Sequence, residues 1–394
     1  MSELPLESLT ADVGVLAAME RGSAGPGEQK AARWAAVRLE ECGAQAVEIE
    51  GYRGRSTNSW SFAGHSLVAL IAQAMGGVAG AALAAVALVS LERDASGRFP
   101  WRRRRVGGGE GASATGRVPA ERERRGTVVI VAHLDTAKTG LAWNPRVTQF
   151  GAGRNLARRQ MDPVMGLQAA AIAGSAVAAL LPRRSLVRRL VGFPSAALNL
   201  LAIALNLDIA RSAAVPGAND NATGVAAALA IARALAADPP RNVDVEFALV
   251  GGEESGMGGF HAWLEAREDR PDPATTLVLG IDTLGSGTPI VAAAEGAVAT
   301  HRYSGDALDL VDEGALIAGE SEPQRWRIGG WTDPLLALTR GIPAASILSV
   351  GPGYYTHYHH PSDLPEFVDW DSVAACARIA AGTVEAWDRR FERP

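Results

Sequence analysis

Two adjacent acidic side chains, Glu253-Glu254, and one carboxylate at the mouth of a helix, Asp220, are the residues of this chain best suited to chemistry. Around them stand His133-Leu134-Asp135, a lone Asp282, and the cluster Tyr358-His359-His360-Pro361. Histidine, aspartate and glutamate without nearby thiolates suit zinc or another borderline divalent ion. Two such ions held close together need a shared ligand. A carboxylate bridges with its two oxygens and an imidazole rarely does, so Asp220 is the expected bridge. It opens the turn Asp220-Asn221-Ala222-Thr223-Gly224, which aims its side chain away from the helix that follows. Of the glutamate pair, one can bind metal while the other takes a proton from the attacking water. Asp135 lies two residues beyond His133 in an extended segment, on the same side of the strand. It can accept the second imidazole N–H and fix the tautomer.

Ligands drawn from five places in a chain need a scaffold that gathers them. The run TVVIVA (127–132) is apolar and β-branched, fit for a buried parallel strand, and it ends in His133. VDVEFALVGG reads as a strand with Val243, Val245, Phe247 and Leu249 on one face, leading to Glu253-Glu254. TLVLGID ends in Asp282, and ASILSV (345–350) is a further strand. ATGVAAALAIARALA, SGMGGFHAWLEAR and DSVAACARIAAGTVEAW have helical spacing. Near the start, GEQKAARWAAVRLEECG is a helix with Gly43 as its C-cap, and AVEIE a strand. This alternation predicts an α/β fold with a mostly parallel central sheet and helices on both faces. Sites in such sheets lie beyond the carboxyl ends of strands, where His133, Glu253-Glu254 and Asp282 all fall.

At 394 residues the chain is long enough for one large domain with insertions, or for two domains. A hydrophobic share of 47% excludes global disorder, and a net charge of −5 argues against a nucleic-acid partner. Cys42 and Cys376 are too far apart in sequence to suggest a disulfide framework or a CxxC metal site. The start MSELPLESLTADV is acidic and lacks the parts of a cleavable signal peptide, so a cytoplasmic start is expected.

Three stretches depart from this pattern. Residues 56–91 contain no Asp, Glu, Lys or Arg, and are long enough to span a bilayer or to fold back as a hairpin at Gly76-Gly77. Residues 164–181 and 190–207 are also apolar and are separated by PRRSLVRR; the second holds Pro194 and two Asn. Helices apolar all round are buried or in lipid. The expectation is membrane association, with several crossings, or a homo-oligomer formed through these segments. Between them, WRRRRV (101–106) faces lipid head groups or solvent, and the glycine-rich run to about residue 116 reads as a flexible loop.

HLD, the DNATG turn, GGEESGMGG, the Asp of LGIDTLGSG and YHHPSDLPE resemble the five signature blocks of the M28 family of metallopeptidases. The resemblance covers residues 20–58 loosely, and 126–140 and 215–390 well. It implies a phosphorylase/hydrolase-like zinc exopeptidase fold, two co-catalytic zinc ions, and a peptide or aminoacyl substrate. By it, His133 and Asp282 hold one zinc, Glu254 and His359 the other, and Asp220 bridges them. Glu253 becomes the general base and Tyr358 a hydrogen-bond donor to the oxyanion. Thr332 and Asp333 resemble a Ser/Thr-Asp block near the substrate pocket. The implied organisation is peptidase domain over 1–58, an apolar insertion with a basic, glycine-rich loop over 59–115, and the strand with the first ligand over 116–150. An apolar helical hairpin over 151–214 and the rest of the peptidase domain over 215–394 complete it. Three departures stand out. The first His and the bridging Asp are 87 residues apart, a second insertion precedes the His133 strand, and His360 replaces the usual Thr or Ser, on the substrate side of His359. His261 and His301 read as surface residues, and His65 as part of the apolar insertion. The alternatives are a single-zinc, glutaminyl-cyclase-like transferase and a non-catalytic M28-like binding domain.

Overall fold

Runs of Val, Ile and Leu that are buried on both faces make the middle of one large sheet. The computed structural model describes residues 6–98, 108–267 and 271–392. Among these the sheet has nine strands: β1 (Gln45–Arg55), β2 (Gly108–Val118), β3 (Gly126–His133), β4 (Val243–Val250), β5 (Thr276–Ile281), β6 (Thr288–Glu295), β7 (His301–Arg302), β8 (Gln324–Arg327) and β9 (Ala344–Val350). Their order is β1-β2-β4-β3-β5-β9-β6-β7, with β8 beside β6. The central strands β4, β3, β5 and β9 are parallel. All of β5 and β9 is buried, which explains why these strands read as continuous apolar runs. The wings are antiparallel, β1 on β2 and β2 on β4 at one side, β6 on β9 at the other.

The longer helices are α1 (Leu6–Ala17), α2 (Pro26–Glu41), α3 (Ser59–Met75), α4 (Gly77–Ala95), α5 (Ala152–Arg158), α6 (Gly166–Leu180), α7 (Leu186–Arg211), α8 (Thr223–Ala237), α9 (Gly258–Ala266), α10 (Gly305–Ile317), α11 (Pro334–Leu338) and α12 (Trp370–Arg389). The helix α2 opens with Pro26 and stops before Gly43, whose φ of 91° is the left-handed conformation that glycine tolerates. It packs on β1 and β2, while α8 and α12 pack on each other and on β3, β4 and β5.

The two apolar insertions are two hairpins, α3–α4 and α6–α7, packed into one four-helix bundle. The first turns at Gly76 and Gly77, both left-handed. Inside the bundle sit small and polar residues. A Cβ on Gly80 would come within 2.3 Å of the Ala72 carbonyl oxygen, and one on Gly174 within 2.1 Å of Ser195 Oγ. Gln168 Nε2 donates to Phe62 O (2.7 Å) and Ser66 Oγ (2.9 Å), and Asn199 Nδ2 to Ser175 Oγ (3.1 Å). Large apolar side chains point outward instead, among them Leu67, Ile71, Val86, Leu190 and Phe193. At its base, the buried pair Arg55–Asp94 (2.8 Å) ties the bundle to β1.

Two expectations change here. The glycine-rich stretch read as a loop is strand β2 from Gly108 onward. His261 is buried against Glu265 rather than on the surface, and His301 is half-buried beside Glu92. The run 101–106 lies outside the described residues.

Candidate metal centre

The carboxyl ends of β3, β4 and β5 bring His133, the Glu253-Glu254 pair and Asp282 together, as the strand order requires. Asp220 arrives from the turn ahead of α8, where its backbone and that of Asn221 depart from helical angles. His359 comes from the loop after β9, and both it (φ 51°) and His357 (φ 54°) are left-handed. Such backbone is unfavourable for residues other than glycine and is held by its surroundings.

The geometry centres on Asp220. Its Oδ1 lies 3.2 Å from His133 Nε2, and its Oδ2 lies 3.2 Å from His359 Nε2. Asp282 Oδ1 is 3.6 Å from His133 Nε2, and Glu254 Oε2 is 3.2 Å from His359 Nε2. Two triads, His133-Asp220-Asp282 and Asp220-Glu254-His359, therefore bring donor atoms within 4.8 Å of one another and share one carboxylate; Glu253 forms a third such group with His133 and Glu254. Glu254 Oε1 is buried without a hydrogen bond, and Asp220 Oδ2 and His359 Nε2 face each other at 3.2 Å without the geometry of one. Unpaired buried polar atoms are costly, and a divalent cation between them would satisfy each. With only nitrogen and oxygen donors, this set fits zinc.

Electrostatics point the same way. Burial pulls the His133 imidazole down, but the Asp282 charge and hydrogen bonds to Asp135, Asp220 and Asp282 outweigh it and hold its pKa well above the usual range. Burial likewise opposes His359, yet Glu254 and Asp220 lift it to about 10. Asp220, pushed up by burial, is held below the ordinary carboxylate range by the two imidazoles. Glu253 is raised well above that range by burial, with Glu254, Asp333 and Asp282 adding to it. Glu254 is raised by burial too. The cluster thus holds positive charge tightly.

The residues behind the cluster were less visible in the sequence. Asp135 Oδ1 accepts the Glu253 N–H (3.0 Å), and its Oδ2 accepts those of Glu254 (3.2 Å) and the Ser23 hydroxyl (2.6 Å). His133 Nδ1 is 3.1 Å from the Asp135 backbone carbonyl and 3.6 Å from its carboxylate. The Asp135 carboxylate thus holds the glutamate loop and also lies beside the imidazole, whose Nδ1 its backbone carbonyl approaches more closely. Asp363 accepts the N–H groups of Asn219 (2.8 Å) and Asp220 (3.1 Å). Asn221 links the Asp220 turn to β5, donating to Ile281 O (3.0 Å) and accepting from Thr283 N (3.1 Å). The buried Arg21 donates to the carbonyls of Leu16, Leu134, Pro216 and Gly217 at 2.6–2.9 Å.

Two cavities flank the centre. One, of about 30 Å³, is lined by Thr332, Ile328, Tyr354 and Tyr355. The other, of about 260 Å³, runs from Glu253, Glu254 and His359 to the inserted bundle. Tyr358 lines both, and its ring stacks on His359 at 3.8 Å. The Thr332 hydroxyl is bonded to Glu295 (2.9 Å) and Ser346 (2.7 Å). Asp333 is buried at the start of α11 and lines neither cavity. His360 lines neither cavity as well; its Nδ1 pairs with Ser362 Oγ at 2.7 Å, so the geometry does not bring it to the substrate side.

The model of peptidase family M28 matches residues 205–384. The matched region holds Asp220, Glu253, Glu254, Asp282 and His359, while His133 and Asp135 lie ahead of it. A probable zinc metalloprotease of Pyricularia oryzae is 27% identical over 209 residues, which is 42% of this chain and 40% of that protein. The alignment thus spans about two fifths of the curated relative. Among solved structures, an aminopeptidase from Aneurinibacillus sp. strain AM-1 superposes with a TM-score of 0.55 at 14% identity, covering 97% of this chain and 93% of that one. An Acidobacteriales bacterium glutaminyl cyclase gives 0.56 at 13% identity, with 99% and 96% covered. These likenesses establish the fold, a mixed α/β fold with a central, mostly parallel sheet.

Proposed function

We propose that the chain is a zinc-dependent amide hydrolase, an aminopeptidase with two co-catalytic zinc ions. The observation that carries this reading is the position of Asp220, whose two oxygens each face a different imidazole at 3.2 Å. His133, Asp282 and Asp220 would hold one ion, and Glu254, His359 and Asp220 the other. Bound zinc polarises the scissile carbonyl and makes water a nucleophile near neutral pH. Glu253, buried and lining both cavities, takes the proton of the attacking water and passes it to the leaving nitrogen as the C–N bond breaks. Asp135 keeps Glu253 in reach by holding its backbone N–H. Tyr358, stacked on His359, is placed to donate to the carbonyl oxygen as charge develops there. Thr332, held by Glu295, shapes the smaller cavity. Two complete triads with a shared carboxylate favour this reading over a single-zinc cyclase or a binding domain without catalysis. Zinc content and turnover on free and N-blocked aminoacyl anilides test it. Cleavage of the free-amine set by a two-zinc protein is expected; zinc-loaded protein that cleaves neither set would overturn it.

We further propose that the inserted bundle associates with a bilayer, leaving the catalytic domain on one side. Among the described residues, α7 is the one helix both long and apolar enough to cross. Beside a few large buried residues (Phe62, Leu91, Ile172), the bundle interior is largely small and polar, and many large apolar side chains face outward, a distribution that lipid favours. At the far tip, Arg183, Arg184 and Arg189 are exposed, and Arg188 closes the tip by donating to Gln73 O (2.9 Å). This places cationic groups at head-group level. Carbonate extraction of native membranes should leave the chain in the pellet; a detergent-free soluble monomer would sink this reading.

A further inference from the structure

One side of the larger cavity is walled by the inserted bundle, the other by loops of the catalytic sheet. Leu198, Leu201, Ala202, Leu205 and Ile209 of α7 line it, spaced at three or four residues, so that one stripe of that helix faces the cavity. From Leu198 to Ile209 the stripe runs about 16 Å at 1.5 Å per residue. Phe62 of α3 and Leu167 of α6 also line it, and Glu253, Glu254 and His359 stand at the end nearest the metal centre.

On the α6 and α7 side the polar residues already have partners, whereas Asn58 Nδ2, Thr136 Oγ1 and Trp143 Nε1 elsewhere in the lining are buried without one. Gln168 is bonded to Phe62 O and Ser66 Oγ, and Asn206 Nδ2 to Ala202 O (2.8 Å). Lys138 Nζ donates to the carbonyls of Ala210 and Ser212, each at 3.1 Å. An extended peptide lying along α7 would leave its own N–H and C=O groups unpaired, because a helix wall offers no ladder to meet them. An alkyl chain has no such groups.

We propose that this cavity takes an unbranched apolar chain longer than any amino-acid side chain, carried by the substrate next to the amide that is cut. The proposal rests on the hydrolase reading above. In the reaction the carbonyl carbon gains the water oxygen, the C–N bond breaks and the nitrogen takes the proton. The products are a carboxylate and an amine, with the chain itself unchanged.

Two substrate series test this on full-length, zinc-loaded protein in phospholipid nanodiscs. One varies the acyl side, from α-aminobutanoyl through norleucyl and α-aminooctanoyl to α-aminodecanoyl anilide. The other varies the amine side, from alanyl butylamide to alanyl decylamide. In one series kcat/KM should climb past norleucine length by about fourfold per methylene, the equivalent of about 0.8 kcal/mol. The series that climbs shows on which side of the amide the chain lies. A peak at or below norleucine length in both overturns the proposal. Ala202→Phe, which fills the stripe midway, should cut the long-to-short ratio at least tenfold; an unchanged ratio counts against the cavity. Binding of linear alkanols, from butanol to decanol, read by the fluorescence of Trp143 and Trp331, separates this from the hydrolase reading. Wild-type affinity that rises with chain length and is blunted in Ala202→Phe supports the cavity even where no amide is cut. The same response in both proteins overturns it.

Discussion

Replacing Asp135 by Asn separates two roles that the same residue could play. The carboxylate accepts three hydrogen bonds from Glu253 N, Glu254 N and Ser23 Oγ, while its backbone carbonyl, which the substitution leaves in place, faces His133 Nδ1. An amide offers one oxygen where the carboxylate offers two. One buried N–H of the glutamate loop then meets an NH₂ group and loses its partner. Loss of a charge-assisted bond costs about 1.5–3 kcal/mol, and an orphaned buried donor adds about 1–3 kcal/mol. A net loss of about 2.5–6 kcal/mol in unfolding free energy is expected, measured by urea denaturation. The loop should shift by a fraction of an ångström to relieve the contact, and displacement of a catalytic group by about 1 Å costs on the order of 100-fold in rate. His133 keeps its carbonyl partner, so zinc content should stay at the wild-type level while kcat falls. Zinc lost in step with activity, at unchanged stability, would refute this reasoning and return Asp135 to the role of holding the imidazole.

Other outcomes follow from the same geometry. Glu253→Gln should keep its zinc and lose about 10²–10⁴-fold in kcat, since only proton transfer is removed; near-normal turnover rules out Glu253 as the base. His359→Ala should lose zinc from one position, whereas His360→Ala, whose ring is turned to Ser362, should keep both; the reverse pattern by elemental analysis means that the metal lies on His360. Glu295 is pushed up to about 8 by burial, against the opposing hydrogen bonds of Tyr303 and Thr332. Its folded pKa exceeds the unfolded value, so its contribution to stability is complete below about pH 4.5 and fades as pH rises through about 8. Urea midpoints at about pH 5 and pH 9 should therefore differ more in the wild type than in Glu295→Gln; equal differences contradict a buried, protonated Glu295.

The centre of the fold was legible because its strands are buried on both faces and must be apolar throughout. β3, β5 and β9 announced themselves this way, and β4 by the alternation of Val243, Val245, Phe247 and Leu249 with more polar neighbours; ligands sit where β3, β4 and β5 end. β2 was hidden for the opposite reason. Its glycines are required by close packing: a Cβ on Gly111 would lie 2.3 Å from Glu28 Oε1 and from the Tyr52 ring. The strand therefore has the composition of a loop. Glu28 itself accepts backbone N–H groups from Ala24, Ala112 and Gly252, and Arg21 donates only to carbonyls. Bonds to backbone leave no partner residue for a sequence to reveal. Asp363 and Asn221 lay inside motifs already singled out, yet their role depends on which N–H groups they reach. The bundle's length and apolar character were readable, but its inside-out arrangement needed the packing of four helices.

The claim that two zinc ions share Asp220 is tested most directly by zinc stoichiometry, measured by elemental analysis on wild type and Asp220→Ala purified side by side. Two ions per chain are expected in the wild type, and neither should survive tight chelator wash in the variant, because both triads lose a donor. A wild type that saturates with one zinc, or a variant that retains two, would contradict it.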